Sequence, residues 1–206
     1  MAGSSAAQTA SPFVPASRSI GVLRDAARKC RGCPLYRWAT QTVFGEGPAR
    51  ARLLLVGEQP GDREDREGAP FVGPAGRLLD EALGRAGLSR RQVYLTNAVK
   101  HFKFEQRGKR RIHKKPGAAE IVACRPWLAA ELDAIRPRVI VCLGVTAAGA
   151  VDRLLRAGVS AGSPPRVVQT LHPSAVLRAP DHESRQALST RLVRDLRTAQ
   201  VAAARE

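Results

Sequence analysis

Four short apolar segments, separated by stretches with helical periodicity, place the strongest constraint on how this chain can fold. They are LLLV (53–56), VYLT (93–96), VIVCL (139–143) and VVQTL (167–171). Each is bounded by turn-forming residues, as is typical of buried strands. Because strands that alternate with helices form a mainly parallel sheet covered on both faces, the sequence predicts a three-layer α/β/α domain around a central four-stranded sheet.

The predicted helices cover residues 20–29, 75–86, 118–135, 146–157 and 183–203. Since proline lacks an amide donor and clashes with the preceding turn, Pro126 is expected to kink or divide the third helix. The first 17 residues are small, polar and interrupted by prolines, which predicts a disordered tail (1–17) before a single domain (18–206).

The charge balance indicates a polyanionic partner. The chain has 34 Lys and Arg against 18 Asp and Glu, a formal net charge of +16, and RGKRRIHKKP (107–116) concentrates six of these cations. No segment approaches the roughly 20 apolar residues of a membrane span, and the amino end does not resemble a secretory signal. We therefore expect a soluble, cytoplasmic, monomeric protein that binds nucleic acid.

A polar motif follows each predicted strand. The motifs are GEQPGDRED (57–65), TNAVKHF (96–102), GVTAAG (144–149) and HPSAVLRA (172–179). Open α/β sheets bind ligands in the crevice beyond the carboxyl ends of their strands. We expect the motifs to form one site there, with the basic segment leaving the second strand beside it.

Several residues in and near these motifs have both a functional and a plainer interpretation. Gly57 can shape a turn that brings backbone amides close to a ligand, with Glu58 facing the crevice. Phe71 can stack on a planar base, and the Asn97 amide offers the donor and acceptor that suit a pyrimidine edge. The plainer interpretations are a turn with a solvated glutamate for Gly57 and Glu58, a core position for Phe71, and a helix cap for Asn97.

The motif HPSAVLRA allows similar choices. His172 can donate to a carbonyl oxygen that gains negative charge, although a histidine before proline is usually structural. Ser174 can bind a phosphate or cap the next helix. Leu177 and Arg178 resemble an apolar wedge with a neighbouring cation, which suits insertion where a nucleotide leaves the base stack.

In a reducing compartment the four cysteines are expected to be metal ligands or buried thiols. Cys30 and Cys33 have the spacing of metal ligands, whereas Cys124 and Cys142 must meet them through folding. A four-iron cluster and a structural zinc fit the count equally well. Taken alone, Cys124 and Cys142 are better interpreted as inert core thiols.

Two interpretations of the basic segment compete. Taken alone, it is a solvated charge run that holds phosphates. However, neighbouring cations disfavour the charged form of His113, and neutral imidazole is the nucleophilic species. If Glu58 hydrogen-bonds one ring nitrogen, the other is directed toward the crevice.

From about Cys30 to the last helix, the set and order of motifs resemble the iron–sulfur uracil-DNA glycosylases of the family-four type. The resemblance rests on GEQPGDRED, PFVGPAGRLL (70–79), TNAVKHF, HPSAVLRA and the cysteines. Gln59 and the insertion KRRIH (109–113) depart from ordinary members and resemble the X subgroup, UdgX, whose members become covalently attached to DNA.

The resemblance implies that Asn97 reads uracil, Phe71 stacks on it, Gly57 lines its site and His172 stabilises the departing anion. It implies that His113 attacks the sugar C1′, with Glu58 and Gln59 positioning either this histidine or the reacting centre. The implied partner is uracil-containing DNA, preferably single-stranded, in a bacterial cytoplasm. The implied ligands of a [4Fe–4S] cluster are Cys30, Cys33, Cys124 and Cys142. The implied DNA contacts are Lys109, Arg110, Arg111, Ser174, Leu177 and Arg178, with Arg111 also shaping the loop. Asp62 matches a motif position without an assigned role.

Two other functions are compatible with the sequence. A conventional hydrolytic glycosylase would share these motifs but would turn over repeatedly. A non-catalytic, metal-stabilised nucleic-acid-binding module would show salt-dependent binding that is indifferent to uracil.

Overall fold

A computed structural model describes residues 8–159 and 164–204. The helices are α1 (Ile20–Ala27), α2 (Asp62–Glu67), α3 (Pro74–Arg85), α4 (Ala118–Ile135), α5 (Val145–Arg156), α6 (Pro173–Leu177) and α7 (His182–Ala204). The strands are β1 (Leu53–Gly57), β2 (Val93–Asn97), β3 (Phe104–Arg107), β4 (Arg110–His113), β5 (Val139–Leu143) and β6 (Arg166–Thr170). Short 3₁₀ turns cover Ser11–Phe13, Pro34–Arg37 and Arg90–Gln92.

The central sheet has the strand order β2-β1-β5-β6, and all its strands are parallel. Alternate side chains of β1 enter two separate cores. Leu54 and Val56 pack with α1, α4 and α5, whereas Leu53 and Leu55 pack with α3 and α7. This arrangement confirms the predicted α/β/α fold with its four-stranded parallel sheet.

Helix α4 runs without a break across Pro126, so the prediction that the proline divides this helix was wrong. The neighbouring Trp127 and Leu128 are almost fully buried, and their packing holds the helix together. Because proline has no N–H, the carbonyl of Val122 loses its hydrogen bond within the helix. Val122 is 44% exposed, so water can bond this carbonyl instead.

Part of the predicted tail packs on the domain. Ala10 is 1% exposed, and its N–H donates to the carbonyl of Ala123 at 2.8 Å. Phe13 and Val14 rest against the core cluster that also contains Ala10. Part of the segment that was predicted to be a disordered tail thus contacts the core, and residues 1–7 lie outside the described part.

The basic segment forms an antiparallel hairpin of β3 and β4 instead of a loop. Its two-residue turn places Gly108 at φ +56°, a conformation that favours glycine. Phe104 pairs directly with His113, and Arg111 lies on the same face as His113 because strand side chains alternate.

In the ranges 8–159 and 164–204, no helix is both long enough and apolar enough to cross a membrane.

Candidate active site

The ends of β1 and β2 place Gly57 beside Asn97, since the two residues are register partners. A Cβ atom on Gly57 would collide with Asn97 Oδ1 and lie 2.7 Å from Phe71 Cζ, so glycine allows both side chains to close on the strand end. Asn97 is 3% exposed, and its side-chain amide makes no hydrogen bond within the described ranges. Both its donor and its acceptor can therefore pair with a ligand.

Phe71 is held in an unusual backbone conformation, with φ +56°. The Arg90 guanidinium braces this turn by donating to the carbonyl of Phe71 at 2.9 Å and to that of Pro70. The Phe71 ring lies 6.2 Å from the His172 ring between centroids, with an interplanar angle of 30°. The two rings thus share one wall of the crevice.

His172 has a defined tautomer. Its Nδ1 accepts the backbone N–H of Ser174 at 3.2 Å, so in the neutral ring Nε2 carries the proton. Burial, followed by the charges of Arg178 and His113, lowers the pKa of His172 to about 4. At neutral pH the ring is an uncharged Nε2–H donor.

Ser174 and Arg178, which were predicted to contact DNA, support this ring from behind. The Ser174 hydroxyl lies 2.8 Å from His172 Nδ1 and accepts from Arg178 Nη1 at 2.9 Å. Their contacts within the protein orient His172, because polar partners on one side of an imidazole fix the direction of the other. Leu177, at the end of α6, is 44% exposed, as the wedge hypothesis requires.

His113 is held by Gln59 and makes no hydrogen bond to Glu58. Gln59 Nε2 lies 2.9 Å from His113 Nε2, and the same amide group bonds backbone atoms of Lys103 and Lys114. Because the Gln59 nitrogen only donates, His113 Nε2 carries the lone pair and Nδ1 the proton in the neutral ring. The expectation that Glu58 orients this ring by a hydrogen bond was wrong, since Glu58 turns toward another partner.

Partial burial of the His113 ring, which still reaches solvent, lowers its pKa below the usual value, aided by Arg178 and opposed by the charge of Glu58. The sequence predicts a neutral ring because of cations in the same segment. The direction was right, but desolvation is the main cause, and the named cation comes from the residue after α6.

Glu58 receives a hydrogen bond from the Thr146 hydroxyl at 2.6 Å. This contact joins the end of β1 to the first turn of α5. The motif GVTAAG pointed to this strand end, but nothing in the sequence singled out its threonine. The bond fixes one carboxylate oxygen of Glu58 while the charge still acts on His113.

Arg111 fastens the hairpin to α2. Its guanidinium pairs with the fully buried Asp65 at 2.6 Å and with Asp62, and it lies over the Phe102 and Phe104 rings at 5.5 and 5.1 Å. Its side chain is 11% exposed. Arg111 therefore anchors the hairpin, and this gives Asp62 a structural role; the contact of Arg111 with phosphate stays a prediction.

Asp62 is a charged partner in that anchor. Partial burial raises its pKa, but hydrogen bonds from Arg66 and Arg111 outweigh burial and leave the pKa below the usual value. By contrast, Lys109 and Arg110 are exposed and form no ion pair within the described ranges. Their exposure is compatible with phosphate contacts, which stay a prediction.

The four cysteines are buried free thiols in a single core cluster. Burial raises the pKa of Cys124 and Cys142 to about 12. N–H groups point at two of the sulfurs, and a histidine ring nitrogen lies near a third. Trp127 Nε1 lies 3.1 Å from Cys30 Sγ, Lys100 N lies 3.2 Å from Cys124 Sγ, and His101 Nδ1 lies 3.7 Å from Cys33 Sγ.

Such donors stabilise thiolate ligands, so the surroundings fit a metal-bound form. In residues 8–159 and 164–204, no three Cys, His, Asp or Glu side chains surround a point that one metal ion could occupy. A four-iron cluster does not require its ligands to meet at one point, because each cysteine binds a different iron.

Comparison with known proteins places this site in a family. The model of the "Uracil DNA glycosylase superfamily" matches residues 44–197. The type-4 uracil-DNA glycosylase of Pyrobaculum aerophilum is 37% identical over 172 residues, covering 77% of this chain and 84% of that protein. Its counterpart from Thermotoga maritima is 36% identical over 173 residues, covering 80% and 86%. The counterpart from Archaeoglobus fulgidus is 38% identical over 165 residues, covering 73% and 79%. This chain belongs to the uracil DNA glycosylase superfamily.

Proposed function

We propose that this protein excises uracil from DNA and then becomes bonded to the resulting sugar through His113. The observation that carries the proposal is the contact of Gln59 with His113 Nε2 at 2.9 Å, which holds a neutral imidazole at the crevice that also contains Asn97 and His172. The relatives that match this chain are named type-4 uracil-DNA glycosylases, which supports the excision step.

On the base side, cleavage of the glycosidic bond leaves negative charge on uracil. The neutral His172 donates from Nε2 to the oxygen that gains this charge. The Asn97 amide pairs with the uracil edge, and the Phe71 ring covers its face. A base without the matching donors and acceptors leaves Asn97 unpaired in a buried position, which supports selection for uracil.

On the sugar side, positive charge develops at C1′, and the Glu58 carboxylate stabilises it. The Gln59 N–H first releases the lone pair of His113 Nε2, which then forms a bond to C1′. The electrons of the broken C1′–N bond leave with uracil. The resulting imidazolium releases its Nδ1 proton to Glu58 or water and becomes a neutral substituted imidazole. His113 competes well with water because a tethered nucleophile has a high effective concentration. Imidazole is a poor leaving group, so the bond between His113 and C1′ is not broken again and the product persists.

We also propose that Cys30, Cys33, Cys124 and Cys142 hold a [4Fe–4S] cluster. When bound, such a cluster joins α4 and β5 to the segment before β1 through thiolate bonds, and it has a structural role. Iron and acid-labile sulfide analysis of anaerobically purified protein tests this assignment. About four irons and four sulfides per chain are expected, whereas stoichiometric zinc without sulfide would refute it.

The capture step is tested on a denaturing gel with a labelled single-stranded oligonucleotide containing one uracil. Wild-type protein should give a band shifted by the mass of the oligonucleotide, and a thymine oligonucleotide should give none. His113→Ala should abolish the band because it removes the nucleophile. His182→Ala, at the start of α7, is the matched histidine control and should keep it.

The alternatives predict different products in the same experiment. If uracil is released repeatedly without a shifted band, the protein is a hydrolytic glycosylase. If the band persists in His113→Ala, another residue is the nucleophile. A duplex version of the oligonucleotide tests the expected preference for single strands.

A further inference from the structure

An ion pair with no solvent exposure lies beneath the end of β2. Lys100 Nζ contacts Glu131 Oε2, and both side chains are 0% exposed. The Glu131 carboxylate also accepts from the backbone N–H of Gly45, the Tyr94 hydroxyl and the Thr96 hydroxyl, each at 3.0 Å. Each carboxylate oxygen therefore has a partner inside the protein.

The remaining donors of the Lys100 ammonium reach the strand end. Nζ donates to the Thr96 hydroxyl at 2.6 Å and to the backbone carbonyl of Asn97 at 2.8 Å. The ammonium thus closes the turn after β2 by holding the carbonyl of Asn97. A charged donor makes this contact stronger than a neutral hydrogen bond would be.

The same turn is held from two other directions. The amides of Ala98 and Val99 donate to the carbonyls of Gly57 and Glu58 at 2.9 and 3.0 Å. The amide of Lys100 points at Cys124 Sγ. These contacts leave the backbone of Asn97 little freedom to rotate.

A buried ion pair is weak evidence for stability, because desolvation of two charges offsets their attraction and a neutral pair of similar size is often as stable. Its position suggests another use. Asn97 recognises a base through a planar amide with direction-dependent bonds, so a small rotation of its backbone would misplace both bonds.

We propose that Lys100 is a positioning residue for uracil recognition, which it serves by fixing the carbonyl of Asn97, with Glu131 as its buried counter-ion. This inference rests on the proposed role of Asn97. It does not depend on capture by His113.

The test compares Lys100→Met with the double variant Lys100→Met/Glu131→Gln. The single variant leaves a buried carboxylate without its counter-ion and should be less stable. The double variant is neutral at both positions, and its amide oxygen can still accept from Gly45 and Tyr94. We expect its melting temperature to return toward the wild-type value.

Unlike the melting temperature, the rate of uracil release should not return toward the wild-type value in the double variant. We expect single-turnover release from the single-stranded uracil oligonucleotide to fall by about tenfold at saturating protein, as for a positioning contact worth about 1.4 kcal/mol in the transition state. Affinity for the thymine oligonucleotide should remain unchanged. A purely structural pair would instead recover release together with stability, and that result would overturn the proposal.

A further comparison tests whether the effect passes through Asn97. Added to Asn97→Ala, the double substitution should cost little more, because coupled residues are not additive. If the fold-decreases in uracil release caused by Asn97→Ala and by the double substitution multiply in the combined variant, the inference is overturned but the proposed function is not. If Asn97→Ala alone retains full excision, the assigned role of Asn97 and this inference both fall.

Thr96→Val provides a milder variant that preserves both charges. It removes the hydroxyl that holds Lys100 Nζ and should produce a smaller loss of release, again without adding to Asn97→Ala. Unchanged release in a folded Thr96→Val protein, together with unchanged release in the double variant, would contradict the proposal.

Discussion

Two segments deliver side chains to the same crevice by opposite means. Asn97 and Lys100, at the end of β2 and in the turn after it, are 3% and 0% exposed, and they are enclosed by the sheet, α4 and the cysteines. The hairpin of β3 and β4 carries His113 on two short strands that pair only with each other. One segment belongs to the core, and the other is attached to its surface.

The difference suits the role that we propose for each segment. A group that reads a base needs a fixed orientation, which buried hydrogen bonds supply. A tethered nucleophile needs an element that can be added beside an existing crevice without disturbing the core. The hairpin meets this requirement because its main polar fastenings are the Arg111 anchor and the amide of Gln59.

The largest effect is therefore expected from removal of the Arg111 anchor, which should reduce capture of the sugar but not excision of uracil. Loss of one partner of a buried ion pair costs about 3–5 kcal/mol, enough to detach a short hairpin. In Arg111→Ala we expect adduct formation to fall at least about 100-fold, while single-turnover uracil release changes little at temperatures where the variant is folded; the melting temperature should decrease by several degrees. Gel quantification and a uracil-release assay on the same samples measure both steps.

The matched control for that variant is Arg107→Ala, which removes an exposed cation from the same hairpin. It should leave the adduct rate near the wild-type value. An equal loss of adduct and uracil release in Arg111→Ala would show that the hairpin is part of the excision machinery.

The two histidines should respond differently to pH. The pKa of His113 lies below 6.5, so its neutral fraction and the adduct rate should be constant above pH 6.5 and fall about tenfold per unit below the folded pKa. The pKa of His172 is about 4, so it stays neutral over most of that range. The ratio of adduct to released uracil should therefore decrease on acidification, as measured by quenched time courses from pH 8 to about 4.5.

The stability of the folded protein should also decrease on acidification. The folded forms of both histidines bind protons less readily than the unfolded chain, so their contribution is complete above pH 6.5 and is lost as the pH falls toward about 4 for His172. A pH-independent ratio of adduct to uracil, measured where the protein remains folded, would contradict the requirement for a neutral His113.

The smallest effect is expected at the exposed end of the hairpin. Arg110→Ala should remove one phosphate contact, weakening binding to uracil and thymine oligonucleotides equally and reducing the salt slope by about 0.7 on single strands. Binding titrations at several salt concentrations measure the slope. Arg156→Ala, at the far end of α5, is the control and should leave the slope unchanged. A uracil-specific loss in Arg110→Ala would instead place that cation at the reacting nucleotide.

Much of the site could be predicted because strand periodicity is local. The apolar runs located β1, β2 and β5, and the polar residues after them then had to share one edge of the sheet. The hairpin was missed although FEQR, Gly-Lys and RRIH form two strand-length segments around a glycine-containing turn, since the density of charge suggested a loop.

The amino-acid sequence by itself determined the order of strands and helices, the convergence of Asn97, His172 and Glu58 on one crevice, and the presence of a histidine beside it. Only the tertiary structure decided which partners these groups have. Arg111 pairs with Asp62 and Asp65, which lie 49 and 46 positions earlier in the sequence. Gln59, and not its neighbour Glu58, contacts His113. Backbone periodicity depends on adjacent residues, whereas the choice of a hydrogen-bond partner depends on distances and directions that exist only after distant segments have packed together.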